Sequence, residues 1–88
     1  NEELDNLKNV LPQALEVLEK DGKIAVISFH SLEDAIVKKY FSAQGRSASG
    51  GKEQKLSILT KKPIIASMQE ARENPRARSA KLRVAIKI

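Results

Sequence analysis

The chain contains no cysteine and no tryptophan. Without thiols a disulfide framework and a thiolate metal site are both excluded, and the composition is compatible with a reducing cytoplasm, the expected location, without proving it. Phe29, Tyr40 and Phe41 are its only aromatic residues, too few for long runs of base stacking. There is a single histidine, and no His/Cys/Asp group has the spacing of metal ligands. The longest strongly apolar run, Ile24 to Ile27, is far short of the roughly 20 residues needed to span a bilayer. No segment has the layout of a signal peptide, and no membrane partner is expected. Neither a G-x-G-x-x-G nor a P-loop pattern is present, and a nucleophile elbow is missing too. Ser28, His30 and Ser31 lie too close together in sequence to form a triad by themselves. The residues do not make a self-sufficient catalytic machine.

The length, 88 residues, suits one small domain with a modest core. Because Asn1 opens directly into a helical pattern, the chain is expected to be a piece of something longer. The formal charge of +5 is unevenly distributed. Residues 1–43 carry five Lys/Arg against eight Asp/Glu, whereas residues 44–88 carry eleven against three. A basic half attracts polyanions at long range, nucleic acid first and anionic membrane next; a solubilising surface is the alternative reading.

Leu4, Leu7, Leu11, Ala14, Leu15 and Leu18 recur at helical spacing and predict an amphipathic helix over residues 2–20, with acids at its positive end. Pro12 predicts a kink or two abutting helices, and Asp21-Gly22 the stop. Lys23 to Phe29 has no polar alternation in its apolar centre, which predicts a strand covered on both faces. Ser31, followed by Glu33 and Asp34, reads as the cap of a second helix that runs to Phe41 and buries Leu32, Ile36, Val37, Tyr40 and Phe41. Residues 42–55, rich in glycine, serine and alanine, predict a mobile loop. A short strand over 55–60 ends at Lys61-Lys62-Pro63, and Ser67 with Glu70 repeats the capping spacing before a short helix to Glu73. From Ser79 to Ile88 the pattern alternates, with Leu82, Val84, Ile86 and Ile88 opposite Lys81, Arg83, Ala85 and Lys87. This predicts a strand with one wet face, or an edge strand. Three strands with a parallel crossover make half of a doubly wound α/β sheet and leave the first strand an open edge, a site for self-association.

Chemistry-bearing residues concentrate at two places. Ser28-Phe29-His30-Ser31 follows the carboxyl end of the first strand, where open α/β sheets hold their ligands. His30 there is either a proton acceptor and orienter or a helix-capping residue, and Phe29 either stacks on an extruded base or belongs to the core. Asn74-Pro75-Arg76-Ala77-Arg78-Ser79 is a Pro-fixed loop presenting two guanidinium groups. With Lys81 and Arg83 it either follows a nucleic-acid backbone or pairs with Glu70 and Glu73.

The blocks ISFHSLEDAIVKKYF, LTKKPI and ENPRARSAKLRVAIK, in that order and with the lead-in LPQALEVLEKDGKIAV, resemble the C-terminal part of the MraW/RsmH family over essentially the whole chain. Ala35 stands where the family pattern has arginine after SLED, and the loop at 42–55 is short. The resemblance implies a partial Rossmann-like methyltransferase domain spanning residues 1–88, ordered helix-strand-helix-strand-short helix-strand with the last strand antiparallel. It implies an S-adenosylmethionine-dependent enzyme that methylates the exocyclic amine of a cytidine in 16S ribosomal RNA, with the small ribosomal subunit as partner. It further implies that the cofactor cradle lies upstream, so this fragment is expected to be inactive alone and to bind no S-adenosylmethionine. Ser28, Phe29, His30 and Ser31 would line the acceptor side, and Asn74, Arg76, Arg78, Ser79, Lys81 and Arg83 would meet RNA. Two further readings stay open: a non-catalytic basic RNA-binding module, and a self-pairing structural fragment.

Overall fold

A computed structural model describes residues 2–45 and 54–88. Helix α1 spans Glu2–Val17 and passes through Pro12 as one helix rather than two. Pro12 lies on the exposed side, where the backbone bond it cannot donate is least missed. The leucine stripe does what its spacing predicts: Leu11 and Leu15 are buried, and Leu7, Ala14 and Leu18 pack against the same core. The helix ends in a turn where Asp21, at φ 69°, is the left-handed residue. Gly22 is needed there for a different reason, since a Cβ on it would lie 2.8 Å from the carbonyl oxygen of Glu19.

Strand β1 (Lys23–Ser28) leads into helix α2 (Ser31–Gly45). After residues 46–53 come β2 (Leu56–Ile58), β3 (Ile64–Ile65), the short helix α3 (Met68–Glu73), a 3-10 turn (Pro75–Ser79) and β4 (Lys81–Lys87). The mobile loop expected over 42–55 falls largely outside the described residues, and α2 takes up its first four positions. Strand β3 has no signature in the sequence, because two residues are too few to show a period.

Among the described residues, all strand pairings are antiparallel and all involve β4. β1 runs along one edge of β4 from Lys23↔Ile86 to Ser28↔Lys81, while β2 and β3 share the other edge. β1 and β2 are therefore parallel to each other, as a crossover through α2 requires, but β4 lies between them. The expected parallel neighbours are separated by the antiparallel last strand. This is an open α/β sheet consistent with a partial Rossmann-like domain. Among the described strands, none pairs with the outer edge of β1.

The core is one cluster of Leu11, Leu15, Ile24, Val37, Phe41, Leu56 and Ala85, where the two helices cover one face of the sheet. Each fully buried large side chain, such as Val37, Phe41 or Leu56, contributes about 1.5–3 kcal/mol over its exposed state. Leu32, expected in this core, is 65% exposed.

Two expectations about the sheet are corrected. β1 is covered on one face only: Ile24 and Ser28 are buried, whereas Ile27 is 59% exposed on the other face. β4 is central, and its charged row is the one that turns inward, with Arg83 and Ala85 buried. The inversion has a physical cause, because Arg83 and Lys87 each have a partner there. Arg83 pairs with Asp34, and the Lys87 ammonium donates to the carbonyl oxygens of Leu15 at 2.9 Å and Leu18 at 2.6 Å, closing the end of α1. Ala85, between them, lets the helices approach. The apolar row of Leu82, Val84 and Ile86 is left half-exposed on the uncovered face.

Candidate nucleic-acid interface

Antiparallel pairing of β1 with β4 explains how two distant motifs meet. The ladder ends at Ser28↔Lys81, so the carboxyl end of β1, with the SFHS corner, lies beside the start of β4, just after the NPRARS turn. Nothing in local spacing would have joined residues so far apart in sequence.

The SFHS corner is shaped by Glu33. Its Oε1 accepts the backbone N–H of Phe29 at 3.1 Å and of His30 at 3.2 Å, while the N–H of Asp34 donates to the His30 carbonyl at 3.1 Å. The carboxylate thus satisfies donors at the positive end of α2 and fixes the turn. The capping role read for Ser31 with Asp34 belongs instead to Glu33, reaching back as the second half of a capping box does. Ser31 and His30 are exposed, Phe29 is half-buried, and Ser28 is buried on the helix-covered face. Of the four acceptor-side candidates, Ser28 is therefore withdrawn from solvent, while His30 and Ser31 are presented to it.

The NPRARS turn is equally well held. The Ser67 hydroxyl accepts the N–H of Glu70 and starts α3, as expected, and the N–H of Asn74 donates to the Glu70 carbonyl at its end. The side-chain oxygen of Asn74 then accepts the N–H of Arg76 at 3.2 Å, opening the next turn, whose Ala77 is buried. Asn74 therefore serves the turn, and the Ser79 hydroxyl approaches the Arg76 carbonyl at 3.5 Å. Arg76 and Arg78 are exposed and Lys81 is half-exposed. Neither arginine pairs with Glu70 or Glu73; Glu73 receives the Gln69 amide instead. The guanidinium carbon of Arg76 stands 5.0 Å from the centroid of the Phe29 ring, a cation–π contact joining the two motifs.

Arg83 is corrected. It is 6% exposed and grips Asp34 with both prongs, Nε to Oδ1 at 2.7 Å and Nη2 to Oδ2 at 3.0 Å. It is a tie between sheet and helix, not a group offered to RNA. The Arg83 hydrogen bonds hold the Asp34 carboxyl below the usual carboxylate range; burial opposes them, and the charges of Arg83, Lys81 and Lys38 assist.

A Cβ on Gly22 would meet Glu19 and Leu18, and one on Gly45 would meet Ile58, so both glycines are packed against the chain itself. No group of acids and histidine among the described residues is arranged for a metal ion. No helix among them is long and apolar enough to cross a membrane.

A half-open α/β sheet with a basic turn at the strand ends is consistent with a partial Rossmann-like domain. The chain belongs to the MraW methylase family, whose profile matches residues 1–88. It is 50% identical over 97 aligned positions to the ribosomal RNA small subunit methyltransferase H of Heliobacterium modesticaldum, covering 100% of this chain and 31% of that protein. It is 53% identical over 85 positions to the same-named protein of Pseudothermotoga lettingae, covering 97% and 26%, and 52% identical over 97 to that of Chloroherpeton thalassium, covering 100% and 30%. The chain thus spans less than a third of the length of these relatives.

Proposed function

We propose that this chain is the closing part of the catalytic domain of a cytoplasmic enzyme that methylates the exocyclic amine of a cytidine in small-subunit ribosomal RNA. Family membership and the printed names of the relatives support the reading. The observation that carries it is the convergence of the SFHS corner and the NPRARS turn, bridged by Phe29 and Arg76, at one end of the sheet. S-adenosylmethionine supplies the methyl group when bound. We assign its seat to chain outside these residues, because no G-x-G-x-x-G or P-loop pattern occurs in the sequence, and the isolated 88 residues should neither bind it nor catalyse transfer.

The amine of cytidine is a weak nucleophile, since its lone pair is delocalised into the ring. An acceptor pocket must orient it and take up a proton. The His30 imidazole, exposed at a corner whose backbone donates to Glu33, is our candidate to orient the base or accept that proton, and the exposed Ser31 follows it on the same acceptor side. Arg76, Arg78 and Lys81 supply the positive flank for the RNA backbone.

The test is methylation of small-subunit ribosomal RNA by the full-length protein. His30→Ala should lower the turnover rate by roughly a hundredfold or more while the protein stays folded. Undiminished turnover would remove His30 from the acceptor side. Calorimetric titration of the isolated chain with S-adenosylmethionine should give no saturable heat, and saturable binding would overturn the assignment of the cofactor seat to other chain.

A further inference from the structure

The Arg76 side chain is held where an unsupported surface arginine would sample many rotamers. Three separate contacts restrain the pair. Asn74 accepts the backbone N–H of Arg76, the next residue Ala77 is 8% exposed, and on the other side Glu33 accepts the N–H of Phe29. With both backbones fixed, the guanidinium carbon stands over the ring, 5.0 Å from its centroid. No carboxylate among the described residues takes the Arg76 N–H groups. Glu33 is occupied by backbone N–H groups and Glu73 receives Gln69.

A guanidinium seated over a ring and paired with no carboxylate suits a planar or tetrahedral oxyanion gripped by two parallel hydrogen bonds. Arginine forfeits rotamer freedom when it is immobilised on binding, and a ring that has already immobilised it spares part of that loss. The neighbourhood favours a phosphodiester over a carboxylate. Arg78 and Lys81 flank the turn, and residues 44–88 hold eleven cations against three acids. Phe29 is then unavailable on that face as a stacking platform for a base.

We propose that Phe29 is a positioning residue: its ring holds the Arg76 guanidinium in place as a ligand for an RNA phosphodiester next to the acceptor site. The inference rests on the RNA-directed reading above and adds the division of labour within it. Phe29 acts on RNA through Arg76, without touching it.

The experiment measures binding of a fluorescein-labelled single-stranded oligocytidylate to the full-length protein by anisotropy over a salt series. The variants are Phe29→Leu, Arg76→Ala, Arg76→Lys and the Phe29→Leu/Arg76→Ala double. Phe29→Leu should weaken binding about two- to fivefold with the salt slope unchanged, because it removes a cation–π contact and no charge. Arg76→Ala should weaken it further and reduce the slope by about one. Arg76→Lys keeps the charge, so it should keep the slope but lose affinity. In the Arg76→Ala background, Phe29→Leu should have no further effect. Independent, multiplying effects of the two substitutions would show the ring touching RNA itself and overturn the proposal, as would Arg76→Lys binding like the parent, a variant whose exposed position keeps folding out of the question. Absence of any RNA binding by the parent protein would instead remove the RNA reading on which the proposal stands.

Discussion

Breaking the Asp34–Arg83 tie is the sharpest perturbation of this fold. Both residues are more than nine-tenths buried, and the geometry is bidentate, at 2.7 and 3.0 Å. Removing one partner strands a charge in a site built to neutralise it, at a cost of about 3–5 kcal/mol. A domain of this size has a total stability of about 5–15 kcal/mol, so Asp34→Asn should shift the urea midpoint far toward zero denaturant with little change in slope. Replacing both partners with apolar residues of similar volume, Asp34→Leu with Arg83→Met, should recover most of the loss, because no charge remains unpaired. The pair also sets an acid limit. The folded-state pKa of Asp34 lies below the ordinary 3.8, so its contribution is complete above that value and fades as pH falls through the folded-state value. The parent should therefore lose stability in that acid window, and Asp34→Asn should lack this component. A cost below about 1 kcal/mol, typical of exposed pairs, together with an unchanged acid profile, would refute the buried-tie reasoning.

Lys87→Met should cost about 1–2 kcal/mol by removing the two bonds that close α1, and an unchanged melting temperature would count against that role. Gly22→Ala should destabilise by a similar amount, because its Cβ would press on a backbone oxygen at 2.8 Å that cannot swing away; a neutral result would mean that the turn relaxes freely. Tyr40 is the only tyrosine, so its ultraviolet titration is unambiguous. Burial raises its pKa above 10.0, and the phenolate band should emerge only beyond that pH, with the stability present below it declining as pH climbs; titration at or below 10.0 would show the ring to be solvated.

Periodicity alone located the helical stripe of α1 and the span of β4, since Leu11 and Leu15 or Leu82, Val84 and Ile86 announce themselves by spacing. It misjudged which face of β4 turns inward. Hydropathy counts Arg83 and Lys87 as polar, yet a cation with a buried carboxylate or a helix end waiting for it belongs inside, and the partners lie 49 and 72 residues away. The same blindness affected the SFHS corner. Ser31 and Asp34 have the expected capping spacing, but Asp34 is taken by Arg83, and the adjacent Glu33 carries out the capping. The two clusters of candidate site residues were each visible as motifs. Their contact through Phe29 and Arg76 depends on the β1–β4 register, which no local pattern encodes.

The position of β4 at the centre of the sheet has a consequence for how the chain acquires its shape. β1, β2 and β3 have no hydrogen-bonded strand neighbour among the described residues except a segment synthesised after all of them. Until that segment emerges, each must wait with an unsatisfied edge, and every rung then closes over a long stretch of intervening chain. Assembly should therefore be late, slow and all at once, with the nascent strands exposed to mispairing and dependent on chaperone shelter in the interval.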